Sequence, residues 1–512
     1  MFPAFLIKTT DERYPIMKRN NGIAASILVS ILLTASLASC GDHDRGTTET
    51  PADTTDTAAV TDAGAGGVVY EPDDLPEELD FGGVTTHIFG WEGSGSNEFY
   101  VEEENGDIVN DAIYVRNRSV EERLNLVLTY TLNPGAYNDR AAWVKTISQS
   151  VMAGDGSNDI VAGYSMSGAT LANNRLLIDL MQLDHIDFEK PWWPDSLIKE
   201  ATCGGKLYFC SGDITTNMID YLYAIFFNKS LAENYDIENL YDLVRDGSWT
   251  LDKMIELCSD LYSDPNGDGK KDPEDQFGYI THSTFSDTFF FASGLRVTTL
   301  DQDGLPVFSE EFGGEKTQDL LVKLVDMFNT DGMYLSSDYE VDRRQFLESR
   351  ALFYTTEVQY ARTYFRDTQI EYGILPVPKY DQAQENYYTV SSFPYTLYGI
   401  PVDAKDPSMS AAMLECLASE SYRTVSPALF EVALKVKYAG DTDVSEMYDI
   451  IRGSNVFDIG RIFNDSMGGS TYSLFRSALM GGEKNWISTY EKNVKRMTNQ
   501  FNKIVENLLE DE

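Results

Sequence analysis

The sequence predicts an α/β protein built as two lobes, and three observations lead there. Short apolar runs with strand character alternate with stretches whose apolar residues recur at helical spacing, which implies mostly parallel sheets with helices on both faces. About 430 residues carry this pattern, more than one hydrophobic core sustains and suited to two. The first 79 residues are of another character: an apolar run, then an acidic small-residue segment, neither of which belongs to the folded body.

In chain order, Val84–Phe89 reads as a strand and is followed by a Gly/Ser loop. A helix then places Val109, Ile113, Val120 and Leu124 on one face. Leu126–Thr131 is a strand, and Trp143, Val144, Ile147, Val151 and Met152 mark the next helix. Asp159–Ala162 is a short buried strand. Gly204-Gly205 makes a hairpin turn leading towards an apolar strand at Tyr221–Phe227. Thr250 is a good N-cap for a helix carrying Leu251, Met254, Ile255, Cys258 and Leu261. Leu320, Leu321, Leu324, Val325 and Phe328 mark another. Ala351–Thr355 and Gly373–Val377 read as strands, and a long last helix runs its stripe from Trp486 to Leu508. No internal repeat is present.

The amino-terminal segment is an export signal. The apolar run from Ile23 to Leu37 is about 15 residues, short of the ~20 that span a bilayer, and it ends in Leu37-Ala38-Ser39-Cys40. This pattern resembles the lipobox of bacterial lipoproteins, which implies removal of residues 1–39 and a diacylglycerol on the Cys40 thiol. Met17-Lys18-Arg19 is the better charged start, so translation is expected to begin at Met17. From Cys40 to residue 79 the chain is rich in Thr, Asp, Ala and Gly, too poor in large apolar groups to fold, and reads as a flexible tether as far as about Pro76.

The formal charge is −42. Loss of residues 1–39 removes Lys8, Arg13, Lys18 and Arg19 against Asp11 and Glu12, a net +2, leaving −44. Nucleic acid and anionic bilayers, both polyanions, are poor partners for such a surface. Besides Cys40 there are four cysteines. A two-residue turn at Gly204-Gly205 sets Lys206 opposite Cys203, so Cys203 and Cys210 do not face each other and no disulfide is expected. Cys258 falls on an apolar helix face. The four histidines are scattered, without zinc spacing.

One stretch has the spacing of a calcium loop. In Asp264-Pro-Asn266-Gly-Asp268-Gly269-Lys270-Lys-Asp272-Pro-Glu-Asp275, oxygen ligands fall at loop positions one, three, five, nine and twelve, with Lys270 offering its carbonyl at seven and glycine at six. Position twelve is Asp275 rather than the bidentate Glu. The following segment reads as extended, so this is a lone loop between helix and strand with a structural role. The alternative is an Asx-rich turn that needs no metal.

No catalytic constellation stands out, and we expect no enzyme. Gly163-Tyr-Ser165-Met-Ser-Gly168 misses the nucleophile elbow by one residue, and no glycine-rich loop carries the Lys-Ser or Lys-Thr of a phosphate loop. The 30 Tyr, 26 Phe and 6 Trp are more telling, since flat rings with polar edges stack on sugars; most of them nonetheless belong to the core. Trp249 packs a helix start, and Trp192-Trp193 fits either role.

Several segments together resemble family 1 extracellular solute-binding proteins, the receptors of ABC importers to which maltose-binding protein belongs. They are Phe226-Phe227-Asn228-Lys229, the run from Tyr241 to Thr250, the Asp264–Asp275 loop with Phe277-Gly278-Tyr279, the Gly205–Tyr208 hairpin before a first interlobe crossing, and Tyr372–Pro378 as the return crossing. The resemblance implies a type II periplasmic-binding-protein-like fold, with a hinge between two sheet-and-helix lobes. Lobe one would hold 80–218 and 371–430, and lobe two 219–370 and 431–512. Sites in such folds lie beyond the carboxyl ends of strands. That points to Trp91, Tyr164, Asp213, Tyr221, Glu357, Phe393 and Tyr395, with rings stacking and the two carboxylates accepting from hydroxyls. The implied function is a lipid-anchored monomer on the outer face of the cell membrane. It would bind a small solute, an oligosaccharide, and deliver it to an ABC permease. The alternatives are a surface carbohydrate-active enzyme, or a receptor of the same fold feeding a sensor kinase.

Overall fold

The computed structural model describes residues 70–93, 98–430 and 442–510. Cys40, the segments expected to be an export signal and a tether up to residue 69, and the 431–441 part of the second lobe lie outside the described residues. No helix among the described residues is long and apolar enough to cross a membrane.

Two sheets organise the body. The first is four-stranded. Its strands are β1 (Val84–Glu92), β2 (Leu126–Pro134), β3 (Ile160–Tyr164) and, far along the chain, one at Thr396–Gly399, in the order 396–399, β3, β1, β2. β1 runs parallel to β2 over nine residues and parallel to β3, while Thr396–Gly399 runs antiparallel to β3. The second sheet is six-stranded: β4 (Tyr223–Asn228), β5 (Tyr262–Ser263), β6 (Gln276–His282), a strand at Met333–Ser336, one at Ala351–Glu357 and one at Tyr372–Leu375. There the pairs 351–357 with β6 and β6 with 333–336 are parallel, and the other three are antiparallel. The sheets are therefore mixed, where the βα alternation implied mostly parallel ones. The antiparallel strands enter on returning segments that periodicity alone does not orient.

The predicted helices form for the expected reasons. The helix Ile108–Leu124 is capped by the Asp107 carboxylate, which accepts from the amides of Val109 and Asn110. Its predicted stripe, Val109, Ile113, Val120 and Leu124, is buried. In the helix Arg140–Ala153, Trp143, Ile147 and Val151 face the sheet, but Met152 is 81% exposed. One residue further is 100° further round, enough to leave the core. The Thr250 hydroxyl accepts from the Lys253 amide as expected of an N-cap. Trp249 behind it is buried and donates to the Pro376 carbonyl. Trp192 and Trp193 are both core, with the Trp193 indole donating 3.0 Å to Glu415.

At Gly204-Gly205 the amide of Cys203 donates to Lys206 and that of Lys206 to Cys203, the register expected. Cys203, Cys210, Cys258 and Cys416 are all buried free thiols.

Two boundaries move. The tether ends earlier than Pro76. Tyr70 packs edge-on against Tyr422, Asp73 pairs with Arg423, Glu71 and Asp74 with Lys190, and Leu75 is buried. A single leucine and a few carboxylates suffice to dock a segment whose composition alone reads as unstructured. Tyr372–Leu375, assigned to lobe one, hydrogen-bonds to β4 in the second sheet, and Pro376–Lys379 stays there, held by Trp249 and Thr250. The return crossing is therefore at about 389–395, and not in the Tyr372–Pro378 segment.

Three chain segments run side by side between the sheets. The Ser392 amide donates 2.7 Å to Tyr221, the Tyr223 amide to Val390, and the amides of Thr389 and Val456 exchange bonds with Ser454 and Thr389. Side-chain bonds from Thr389 to the Tyr223 carbonyl and from Ser391 to the Met218 carbonyl tie the first two crossings further.

Candidate functional site

The hinge fixes which strand ends face each other. β4 starts at Tyr223 directly after the first crossing, and the strand 351–357 runs antiparallel to it, so Glu357 ends opposite Tyr223. The strand 396–399 starts directly after the return crossing, and β3 runs antiparallel to it, so Tyr164 ends opposite Thr396. Both sheets thus turn the carboxyl ends of their parallel strands towards the hinge, where α/β sheets place ligands.

Aromatic rings collect at these ends. Tyr223 packs at 5.2 Å on Phe285, Phe285 at 5.5 Å on Tyr339, and His282 stacks on Tyr339 at 3.7 Å. Phe393 and Tyr472 lie 5.4 Å apart with the Arg461 guanidinium 4.0 Å over the Phe393 ring. From the first sheet Tyr164 joins them: its hydroxyl feels those of Tyr472 and Tyr223 as well as Arg140. Two ion pairs border the cluster, Arg476 with Asp287 (Nε to Oδ1 2.7 Å) and Arg140 with Asp465 (Nη2 to Oδ1 3.1 Å). Burial pushes the Glu357 carboxyl up to about 7, opposed by the Gln359 amide that donates to it and by Ser392. Burial also pushes His282 down to about 4, so it is neutral at physiological pH.

Of the residues the sequence proposed, Tyr164, Glu357 and Phe393 come together here. Trp91 lies behind the cluster: fully buried, it donates 2.8 Å to the Thr396 hydroxyl and presents an edge to Tyr164 at 5.5 Å. Gly163 leaves room for this layer, since a Cβ there would sit 2.9 Å from the Trp143 ring. Asp213 and Tyr221 are in the hinge. The Asp213 carboxylate is engaged by Arg452 at 3.0 Å and by the Ser426 hydroxyl, and the Tyr221 carbonyl accepts from Ser392. Tyr395 is buried edge-on against Phe457.

Sequence reasoning missed Tyr223, Phe285, Asp287 and the 461–476 group. For Tyr223 the signal was strand parity, two residues from Tyr221. For Phe285 and Asp287 it was the turn directly after β6. Arg461, Tyr472 and Arg476 carry no local signal, because short helices bring them back from a distant part of the chain. Also missed was Glu98, a buried carboxylate that accepts from Thr215, Thr396 and the Asn217 amide and so ties the first sheet to the crossing.

The calcium-type loop is closed at its base by β5 pairing with β6, Ser263 opposite Gln276. Gly267 and Gly269 take left-handed φ of +70° and +71°, a conformation that favours glycine. The Asp264 carboxylate accepts from the amides of Gly267 and Gly269, Asn266 from Asp268, Asp268 from Lys270, and Asp272 from Glu274. Asp268 also pairs with the Lys270 ammonium at 3.0 Å. Asp275 is 0% exposed; its Oδ2 accepts from the Tyr262 hydroxyl and the Asp272 amide, and its Oδ1 is buried without a partner. Among the described residues no three His, Cys, Asp or Glu side chains converge as a metal ligand set. The exposed carboxylates of the loop are thus turned to its own backbone amides, the pattern of an Asx-rich turn.

No family model matches the sequence, and no curated protein does. Solved structures share the fold. The maltose/maltodextrin-binding domain MalE from Bdellovibrio bacteriovorus, solved with maltotriose, aligns at 14% identity over 82% of this chain and 100% of that one, with a TM-score of 0.51. A cyclo/maltodextrin-binding protein complexed with maltotetraose aligns at 15% identity, 81% and 97% coverage and TM-score 0.52. The cyclic alpha-maltosyl-1,6-maltose binding protein from Arthrobacter globiformis aligns at 12%, 83% and 100%, with TM-score 0.51. At these identities the likeness establishes the fold alone, and it is the fold that the sequence resemblance implied.

Proposed function

On the premise of that fold, we propose that the chain is an extracytoplasmic receptor that takes a saccharide between its lobes and presents it to the permease of an ABC importer. The observation that carries the reading is the ring cluster at the facing strand ends, beside a hinge of three crossing segments. Ring faces cover the apolar faces of a sugar, and the polar groups among them fix its orientation. The solved relatives named above are binding proteins, which favours a receptor over an enzyme.

The cavity beside the hinge, lined in part by Asp220, Arg362 and Tyr448, measures about 10 Å3, room for a water and not for a sugar ring. In this reading a saccharide enters with the lobes parted and is held at the ring cluster as they close. Contacts to both lobes then favour the closed state, which is the form a permease can distinguish. A diacylglycerol on Cys40 would hold the receptor at the membrane, with the chain up to residue 69 as its leash.

The calcium-type loop is proposed as a structural ion site. The unpartnered buried Oδ1 of Asp275 supports this; Asp268 would leave Lys270 and Asp272 would turn from Glu274 to complete the set.

The test is a thermal-shift and calorimetric screen of neutral and acidic oligosaccharides, with peptides and amino acids as controls. A ligand at about 100 times its Kd adds about 2.7 kcal/mol to stability. Saturable binding of a saccharide supports the reading. Binding of peptides alone, or turnover of a glycan, would overturn it.

A further inference from the structure

The ring cluster contains a cation without an anion. Arg476 is closed onto Asp287 and Arg140 onto Asp465, but Arg461 has no such partner. It is 4% exposed, its Nε is buried with no hydrogen-bond acceptor, and among the described residues no carboxylate or carbonyl accepts from its guanidinium. Its surroundings are ring faces: Phe393 at 4.0 Å, Phe291 and Tyr472 at 5.6 Å. Cation–π contacts attract a guanidinium weakly compared with what a buried, unpaired charge gives up in hydration.

Nearby acids are otherwise engaged. Asp458, three residues earlier, spends both oxygens on the amides of Val297, Thr298 and Arg461 and on the Thr298 hydroxyl. Glu357 accepts from Gln359. The phenols within reach of Arg461 are not counter-ions either: burial holds Tyr395 and Tyr472 up to about 12, and Tyr223 higher, so all three are neutral at physiological pH. In a chain of net charge −42, with two acidic residues for every basic one, an arginine left unpaired amid the rings that form the site is conspicuous.

We propose that the ligand supplies the missing charge: the saccharide is acidic, and presents a uronate carboxylate or a sulfate ester to Arg461 while a sugar face lies on the Phe393 and Tyr472 rings. A planar guanidinium fork is the group best matched to two oxygens of one anion, and in a site closed from water that pairing is also the discriminating one, since a neutral sugar leaves the charge uncompensated. The inference rests on the receptor reading and adds the ligand's charge to it.

The experiment is calorimetry of the mature protein with three kinds of probe, at low and at physiological salt. They are uronate trisaccharides and a sulfated trisaccharide, to separate carboxylate from sulfate; maltotriose and methyl-esterified trigalacturonate as neutral counterparts; and acidic tripeptides. Arg461→Met and Arg461→Lys are compared with the wild type. The expected result is at least a tenfold tighter Kd for one acidic saccharide than for its neutral counterpart. Arg461→Met abolishes that preference and Arg461→Lys keeps part of it. Removal of an unpaired buried charge should leave the melting temperature of unliganded Arg461→Met equal to or above wild type, so loss of binding cannot be loss of fold. Neutral saccharides binding as tightly as acidic ones, or an acidic preference indifferent to Arg461→Met, would overturn the inference and leave the receptor reading standing. Arg461-dependent binding of the peptides alone, or no saccharide binding at all, would overturn both.

Discussion

Glu357 gives the sharpest prediction about the site's electrostatics. Its folded-state pKa is raised from 4.5 to about 7, first by burial and then by the nearby Asp220. A carboxyl whose pKa is higher folded than unfolded holds its proton better in the native state. Its stabilising contribution is complete below about pH 4.5 and is lost as pH rises through 7. At 1.36 kcal/mol per pH unit the loss approaches about 3 kcal/mol above pH 7. An unfolding entropy of about 2.1 cal/mol/K per residue over roughly 440 residues converts that to a Tm fall of about 3 °C. Glu357→Gln keeps the shape and cannot ionise. Differential scanning calorimetry of both proteins from pH 4.5 to 8.5 should show the wild type losing about 3 °C relative to the variant, with the divergence half complete just below about pH 6 and nearly complete by about pH 7. Glu200, Asp342 and Glu415 are also raised to about 7 by burial, so the difference between the two curves is the readout and not either slope. Parallel curves would refute the argument that Glu357 is buried with too few donors.

Other perturbations follow from the same geometry. Truncating Phe393 or Tyr472 to Ala removes the stacking face and should weaken saccharide binding by about 1–3 kcal/mol, or 5- to 150-fold, measured by calorimetry; unchanged affinity at both would remove the ring cluster from the site. Millimolar Ca2+ should raise the melting temperature of the wild type and not of Asp275→Ala, and the absence of any shift would leave the Asp264–Asp275 loop as a metal-free turn. Asp213→Ala strands the Arg452 guanidinium and the Ser426 hydroxyl at the hinge and should cost about 1–3 kcal/mol in denaturant unfolding. Cys40→Ser should abolish acyl labelling and move the protein from the membrane to the soluble fraction; persistence of acylation would refute the lipobox reading.

Much of the fold was legible because local physics decides it. Thr250 caps its helix, the buried stripes of 108–124 and 315–328 recur at helical spacing, and Gly204-Gly205 fixes its hairpin register. What sequence could not settle was long-range. Tyr372–Leu375 is apolar enough for either sheet, and only its pairing with β4 places it. Tyr70–Leu79 is held by partners at 190, 419 and 423 that nothing within the segment announces. The site divides in the same way. Tyr164 and Glu357 were legible as strand ends, and both lie where those ends face the hinge. Asp213 was chosen for its charge, which Arg452 engages, and Arg461 was overlooked because no feature of its own helix marks it as unpaired.

The central claim is a two-lobed clamp that closes on a saccharide, and a distance change across the hinge tests it most directly. Met152 and Tyr235 are exposed, on the first and second sheets' sides respectively, while Cys203, Cys210, Cys258 and Cys416 are buried with thiol pKa values raised by burial. A Met152→Cys, Tyr235→Cys variant of the form beginning after Cys40 can therefore be labelled selectively with a donor–acceptor pair. The saccharide giving the largest thermal shift is expected to change the energy-transfer efficiency saturably, with a midpoint at its calorimetric Kd. Saccharide binding with no change in transfer would contradict the clamp.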